Sequence, residues 1–184
     1  MSCCERGRIW RIVKHSMKCF LDIESPIGLL RLVSGESGLT ELDLRPAPKR
    51  QLSQDEWRES PGLRPLSLAA EQLTQYFAGD RRVFDLPLAP AGTPFQQRVW
   101  AALQEIPYGT TWSYGQLAAR IGNAGAARAV GLANNRNPIA IIIPCHRVIG
   151  ADGSLVGYGG GLPMKEWLLE HEGALAGSQG CLPW

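Results

Sequence analysis

The segment from Ile141 to Gly150 restricts the fold of this chain more than any other, because an apolar run meets a proline and then two reactive side chains. It reads Ile-Ile-Ile-Pro-Cys-His-Arg-Val-Ile-Gly. Since proline has no backbone N–H to donate, an extended segment over the isoleucines is expected to stop there and to hold Cys145 and His146 on a rigid support. A nearby imidazole can activate a thiol as a nucleophile. The alternative for such a pair is a buried cysteine that only packs.

Three short apolar segments near the amino terminus predict an antiparallel sheet. They span residues 20–23, 29–33 and 39–44, and turn sequences rich in glycine, serine and proline separate them. Residues 66–77 carry apolar side chains at helical spacing, so we expect a helix there. The polar stretch 45–64 is expected to be loop. No pattern in this half indicates chemistry, so its expected function is structural support.

The second half is predicted to be mainly helical. Prolines and a glycine between residues 81 and 92 predict a domain boundary. Thr93 can cap a following helix over residues 95–105, with Pro94 at its first position. A last helix is predicted over residues 163–172, where proline can start it and the next glycine can stop it.

Between those helices, the sequence has the outline of a helix-turn-helix. Residues 113–121 and 126–135 are the two predicted helices, and 122–125 form a glycine-containing turn. The second helix carries small residues at Ala126, Ala127, Ala129, Gly131 and Ala133, with Arg128 as the single long side chain among them. Such a helix can approach a nucleic acid backbone closely, although ordinary helix packing also gives this outline.

The order of these elements along the chain predicts its domain organisation. We expect an extension at 1–16, an amino-terminal domain at 17–91, a carboxy-terminal domain at 92–173 and a tail at 174–184.

Cysteine usage and charge exclude several classes of protein. Five cysteines, an odd number without regular spacing, argue against a secreted disulfide framework and for a reducing compartment. Cys3, Cys4, His15 and Cys19 could supply four zinc ligands, but they lack zinc-finger spacing, so we predict no metal and no cofactor. No stretch approaches the ~18 apolar residues of a membrane span. A net charge of +2 predicts few phosphate contacts if the chain binds DNA.

Three blocks of sequence point to a family. They are Gly-Ala-Ala-Arg-Ala-Val-Gly-Leu-Ala-Asn-Asn-Arg-Asn-Pro (residues 125–138), Pro-Cys-His-Arg-Val (144–148) and Val-Gly-Tyr-Gly-Gly-Gly-Leu-Pro-Met-Lys-Glu-Trp-Leu-Leu-Glu-His-Glu-Gly (156–173). Together they resemble the methylated-DNA-protein-cysteine methyltransferases, or O6-alkylguanine-DNA alkyltransferases. The resemblance is strong from Phe95 to Gly173 and looser from Phe20. It implies an α/β protein, with a ribonuclease H-like domain of three antiparallel strands and a helix, then a mainly helical, winged-helix-like domain with a helix-turn-helix.

The resemblance implies direct-reversal DNA repair with the protein consumed in the reaction. The Cys145 sulfur would attack the alkyl carbon of O6-alkylguanine, or of O4-alkylthymine, and the base would leave through its oxygen. His146 would accept the thiol proton through a water, and Glu172 would orient the imidazole, in the manner of a hydrolase triad. Asn137 would tie the recognition helix to the active-site segment. No step regenerates the thiol, so each molecule would act once.

The same resemblance implies how DNA is bound. Arg128 would take the place of a nucleotide rotated out of the duplex, since a stacked base is out of reach of a thiolate. Tyr114 would crowd the 3′ phosphate, hydrogen-bond the flipped base and protonate the departing guanine at N3. Further DNA contacts are implied for Ala127, Ala129, Gly131, Asn123 and Gln96, and pocket walls for Val148, Tyr158, Gly159 and Gly160. Some relatives have serine at position 159, so Gly159 predicts one fewer hydrogen bond to O6 and a roomier pocket.

The expected partner is double-stranded DNA containing O6-alkylguanine, bound by a monomer without membrane association. The expected location is the cytoplasm, on the nucleoid, or the nucleus in a eukaryote. Two other classes remain open from the residues. A cysteine hydrolase could use the same cysteine, histidine and glutamate but would need an oxyanion hole. A DNA-binding module without chemistry would not need Cys145, and relatives that sense alkylated DNA without repairing it lack that cysteine. A sequence-specific regulator is disfavoured, because the second helix of the helix-turn-helix has few side chains that could read base edges.

Overall fold

The computed structural model describes residues 18–46, 48, 51–52 and 56–175 of the chain. The expected extension at 1–16 and most of the expected tail lie outside these residues. So do Cys3, Cys4 and His15, three of the four side chains considered as zinc ligands.

Four strands form the amino-terminal sheet, in the order β3-β2-β1-β4. Their bounds are Lys18–Ile23 (β1), Leu30–Ser34 (β2), Leu39–Asp43 (β3) and Trp57–Glu59 (β4). The predicted antiparallel meander of β1, β2 and β3 is confirmed. The prediction of loop throughout 45–64 is wrong at β4, which pairs parallel to β1. Three residues at a sheet edge are too few to show the alternation that identifies a strand.

The predicted amino-terminal helix is α1, Arg64–Phe77, which packs on the sheet. Leu66, Ala69, Leu73 and Tyr76 are fully buried along one face. Burial of each leucine contributes about 2 kcal/mol. The spacing of these side chains therefore explains both the helix and its position.

The carboxy-terminal half is mainly helical, as predicted. Helix α2, Pro94–Leu103, begins at Thr93, whose side chain accepts from the backbone N–H of Gln96 while the Gln96 side chain accepts from the Thr93 N–H. This capping box confirms Thr93 as the helix start. The last helix, α5, spans Leu162–His171 and ends at Glu172.

The helix-turn-helix is also present. Helix α3 spans Tyr114–Arg120 and α4 spans Ala127–Asn135. Gly122 joins them at a φ of 76°, where residues other than glycine are strained, and a 3₁₀ turn at Ala124–Ala126 follows. Two strands of two residues each, β5 (Trp112–Ser113) and β6 (Val148–Ile149), pair in parallel beside α3 and were not predicted.

The two halves share one hydrophobic core. Strand β3 lies against the segment that follows α4, since the Leu42 N–H donates to the Pro138 carbonyl at 2.8 Å and Leu42 bridges Ile139. The amino-terminal sheet is therefore a neighbour of the segment that carries Cys145. Within the part of the chain that the structure describes, no helix has the length and apolarity needed to cross a membrane.

Candidate active site

The segment before Cys145 is a buried series of turns. The N–H of Ile142 donates to the Ala140 carbonyl at 2.8 Å, and that of Ile143 to the Ile139 carbonyl at 2.9 Å. Ile141 has a φ of 70°, the one positive value at a non-glycine among the described residues. The prediction of an extended segment is wrong, because an apolar run before a proline fits a buried turn as well as a strand. A β-branched residue in this conformation stores strain of about 1–3 kcal/mol.

Glu172 lies at the centre of a buried hydrogen-bond network. Its Oε1 accepts from His146 Nε2 at 2.8 Å, from the Tyr76 hydroxyl at 2.8 Å and from Arg147 Nη2 at 3.0 Å. Its Oε2 accepts from Arg147 Nε at 2.8 Å and from the Gly109 N–H at 3.3 Å. A Cβ at residue 109 would lie 2.8 Å from the Glu172 carbonyl oxygen, so glycine is needed for this close approach. Five donors on one carboxylate hold it in a single orientation.

These donors determine the protonation states. Burial alone would raise the pKa of Glu172, but hydrogen bonds from His146 and Arg147, together with the charge of the Arg147 guanidinium, lower it to about 2. Burial lowers the pKa of His146, and Glu172 opposes that effect only in part. Because an ionised carboxylate only accepts, the proton of a neutral imidazole must be on Nε2. His146 Nδ1 is then a free acceptor, and it has no partner among the described residues.

The surroundings of Cys145 keep its thiol protonated, so a base is needed to activate it. It lies in a 3₁₀ turn with His146 and Arg147 and is 5% exposed. Burial raises its pKa to about 11, although a hydrogen bond with Asn137 and the charge of Lys165 lower it. At neutral pH the group is therefore protonated at rest, and deprotonation has to accompany its chemistry.

Asn137 holds the turns that precede the cysteine. Its Nδ2 donates to the Ile143 carbonyl at 2.7 Å, and its Oδ1 accepts from the Ile139 N–H at 3.1 Å. The side chain thus connects the end of α4 to the active-site segment, which is the geometry expected of it.

A cavity of about 230 Å³ opens at Cys145. Tyr158 and Gly159 line it, as expected, together with Asn134, Asn137 and residues 41–45 of the amino-terminal half. The amino-terminal half therefore forms part of the cavity wall. Val148 and Gly160 are both buried. Neither is among the cavity's lining residues within the described chain.

Tyr114 starts α3 beside this cavity. Its hydroxyl donates to the Val156 carbonyl at 3.3 Å, and its ring lies 3.6 Å from where a Cβ at Gly131 would be. Burial raises its pKa, as does the negative charge of Cys145 in its thiolate form, so the hydroxyl keeps its proton. The tyrosine thus stands between the recognition helix and the segment that follows β6.

Helix α4, the second helix of the helix-turn-helix, presents part of the expected surface, since Ala133 is buried in the core. Arg128, Ala129 and Asn123 are exposed, while Ala127 and Gly131 are half-buried. Gln96 and Ala129 meet at a second, shallower cavity of about 160 Å³. Its lining includes Leu132, which is 54% exposed and was missed as a candidate. The amino-terminal end of α2 and the exposed face of α4 therefore form one surface.

Four further polar side chains at the site were not predicted. Arg147 directly follows His146, so its position in the sequence was a usable signal. Lys165 is fully buried, with Nζ donating at 2.6 Å to the carbonyls of Val148 and Val156, and burial lowers its pKa to about 8. The other two are Tyr76 and Asn134.

Asn134 faces the cavity from α4. It is 2% exposed, its Nδ2 lies 3.4 Å from the Cys145 carbonyl, and its Oδ1 has no partner among the described residues. A lone asparagine on a helix is ordinarily a surface residue, so nothing in the sequence indicated this position. No group of three or more histidine, cysteine, aspartate or glutamate side chains suited to a metal occurs within the described residues.

Comparison with known proteins shows the same two-part organisation. The model of the ribonuclease-like domain of 6-O-methylguanine DNA methyltransferase matches residues 20–90, and that of its DNA-binding domain matches residues 94–174. The methylated-DNA–protein-cysteine methyltransferase of Methanosarcina acetivorans is 54% identical over 151 residues, which are 82% of this chain and 96% of the relative.

Solved structures agree with that similarity. The crystal structure of the Mycobacterium tuberculosis O6-methylguanine methyltransferase superposes with a TM-score of 0.75 at 52% identity, covering 89% of this chain and 97% of that one. A structure of M. tuberculosis OGT in complex with DNA gives a TM-score of 0.75 at 54% identity, covering 85% of this chain and 93% of that one.

Proposed function

The chain belongs to the methylated-DNA–protein-cysteine methyltransferases, and on that premise we propose that it repairs O6-alkylguanine in DNA by moving the alkyl group to its own Cys145. The observation that carries this assignment is the position of Cys145. Its thiol lines a cavity, follows a strained turn and adjoins a histidine whose free nitrogen is an acceptor. We extend the proposal to O4-alkylthymine.

Proton removal is the first step that these residues support. Nδ1 of His146 takes the thiol proton through a water, while Nε2–H stays bonded to the ionised Glu172. The resulting imidazolium lies beside that carboxylate, which stabilises its charge. Because the pKa of the thiol is about 11, this transfer is what makes Cys145 a nucleophile at neutral pH.

Displacement of guanine is the second step. The sulfur forms a bond to the alkyl carbon as the bond from that carbon to O6 breaks, and the electron pair stays on guanine. Tyr114, whose raised pKa keeps its hydroxyl protonated at rest, supplies a proton to N3 of the leaving base and regains one from solvent. His146 releases the former thiol proton to solvent, so no net proton is gained or lost. Tyr158 and Gly159, which line the cavity, enclose the base. The thioether formed has no route back to a thiol, so each molecule acts once.

DNA binding is assigned to the surface built from α2 and α4. The alanines and Gly131 let α4 come close to the backbone, and Arg128 enters the space of the flipped nucleotide. Asn123 and Gln96 add contacts at its edges. The relative named M. tuberculosis OGT has been solved in complex with DNA, which supports DNA as the partner.

The division into domains, the oligomeric state and the location follow from the same premise. We place the amino-terminal domain at 17–91 and the carboxy-terminal domain at 92–173, a division supported by family-model matches to 20–90 and 94–174. A monomer is sufficient, because one chain supplies every proposed site residue. A reducing compartment such as the cytoplasm suits an enzyme whose thiol must stay free.

The test is intact-mass spectrometry with peptide mapping after reaction with duplex DNA carrying O6-methylguanine. We expect a single gain of about 14 Da, one methyl replacing one hydrogen, mapped to Cys145. Cys145→Ala should show no gain, whereas Cys19→Ala, which removes a cysteine in β1, should react like wild type. If wild-type protein binds the DNA without gaining mass, the chain is a lesion sensor and the proposal fails.

A further inference from the structure

Tyr76 belongs to α1 of the amino-terminal half, yet its hydroxyl reaches the centre of the proposed site. The side chain is fully buried, and the hydroxyl donates to Oε1 of Glu172 at 2.8 Å. This is the same oxygen that accepts from His146 Nε2 at 2.8 Å. With Arg147 Nη2 at 3.0 Å, three donors therefore share and jointly orient one carboxylate oxygen.

Packing accounts for the ring of Tyr76 but not for its hydroxyl. The ring has edge or tilted contacts with Phe77, Phe84, Tyr108 and His171, with centroids 5.1–6.2 Å apart. A phenylalanine would make the same contacts. Arg147 already gives Glu172 a charged partner through two bonds, so ion pairing does not require the hydroxyl either. What the hydroxyl adds is a neutral donor on the oxygen that holds the histidine.

We propose that Tyr76 is a positioning residue for alkyl transfer. Its hydroxyl holds Oε1 of Glu172 in line with His146 and reduces the attraction of that oxygen for imidazole charge. His146 consequently remains a neutral base until the thiol proton arrives. The amino-terminal domain then contributes to the chemistry as well as to the cavity wall. This inference rests on the proposed function.

Several other charged or titratable groups surround Tyr76 and Glu172, but their effects on the pH profile can be separated from that of the Tyr76 hydroxyl. Arg147 comes from the 3₁₀ turn and Tyr108 from the loop after α2, while Cys145 and Tyr158 line the cavity. Helix α5 contributes Lys165 and also His171, whose ring packs on that of Tyr76 and whose Nε2 lies 2.8 Å from the Tyr76 backbone carbonyl. None of them changes when only the Tyr76 hydroxyl is removed. A carboxylate with one donor fewer attracts imidazole charge more strongly, so the protonated, inactive form of His146 becomes easier to form.

The test is the pH profile of the single-turnover methyl-transfer rate constant for wild type and Tyr76→Phe. We expect the acid limb of the variant to move up by about 1 pH unit, which is about a tenfold lower rate below the limb. The plateau at higher pH should stay within about threefold. The matched control is Tyr108→Phe, since that hydroxyl donates to the His171 carbonyl at 3.1 Å and not to the carboxylate. Its acid limb should coincide with that of wild type.

An acid limb of Tyr76→Phe that coincides with wild type would overturn the inference, even if the variant melts at a lower temperature. If Tyr76→Phe does not fold, 3-fluorotyrosine at position 76 replaces it. The more acidic phenol is a stronger donor, so the limb should move down, and an unmoved limb would overturn the inference. Failure of the wild-type protein to accept a methyl group would instead refute the proposed function itself.

Discussion

Glu172 shows how neighbours reverse the effect of burial on one residue. A buried carboxyl ordinarily has a raised pKa, but here the donors from His146 and Arg147 lower it to about 2. Its residue type and position were predictable, because the sequence ends a helix with an acid where the helix dipole disfavours one. Tyr76 was not predictable. It lies 96 residues from Glu172 in the chain, and its helical spacing indicates only a core position.

The depressed pKa of Glu172 predicts an acid-sensitive fold. A carboxyl whose folded pKa is about 2, against an ordinary 4.5, stabilises the fold fully above pH 4.5 and loses that contribution as the pH falls towards 2. Glu172→Gln should therefore unfold about 3–5 kcal/mol more easily at pH 7, because Arg147 is left uncompensated. The difference in the free energy of unfolding between Glu172→Gln and wild type should become smaller at low pH.

Urea unfolding at pH 7, 5, 4 and 3 measures this difference. Glu166→Gln, on the exposed side of α5, is the control and should follow wild type throughout. A gap for Glu172→Gln that stays constant from pH 7 to pH 3 would contradict the assigned ionisation.

Helix α4 shows what a single element can contribute to recognition. The helix offers small side chains and one long cation, Arg128, so its contact with DNA depends on that residue. Arg128→Ala should slow methyl transfer from duplex DNA by roughly 10–100-fold, the equivalent of about 1–3 kcal/mol of lost stacking. Reaction with free O6-methylguanine base should be unchanged.

Single-turnover rates with the two substrates check this prediction. The control is Arg120→Ala, an exposed arginine of α3 that pairs with Glu105. It should react with duplex DNA at close to the wild-type rate. Equal losses on duplex and free base would show that Arg128 supports the fold of α4 and not base flipping.

The elements differed in how well the sequence predicted them. Helices α1 to α5 were located within about two residues, because apolar periodicity, Thr93 and Pro163 mark their faces and ends. Strand β4 and the turns around Ile141 were missed or mispredicted. Both depend on tertiary contacts: β4 exists by pairing with β1, and Ile141 is held at a φ of 70° by the core around it. Local patterns do not contain that information.

The described part of the chain is one packed unit with the Cys145 thiol at its interior. Cys145 is 5% exposed and in the shared core. A methyl group on its sulfur has to fit beside Asn137 and the buried turns. We expect overpacking to reduce the free energy of unfolding by about 1–3 kcal/mol. For a chain of this size, that corresponds to a melting temperature lower by about 3–10 °C.

Thermal melting before and after complete reaction tests this expectation. Cys145→Ala treated with the same DNA is the control, since it separates methylation from DNA binding and should not shift. An unchanged or higher melting temperature of the methylated protein would contradict the prediction.

The bond from Tyr76 to Glu172 also restricts how this protein can be recombined with its relatives. A chimera that takes its amino-terminal domain from one protein and its carboxy-terminal domain from another joins two halves of a single hydrogen-bond network. Each half of such a hybrid can fold correctly, and the hybrid can still bind DNA. The carboxylate of Glu172 will be oriented correctly, however, only if helix α1 of the exchanged amino-terminal domain brings a hydroxyl to the position of the Tyr76 hydroxyl. The natural unit for domain exchange is therefore the pair of domains, and selection on the active site extends into the amino-terminal half.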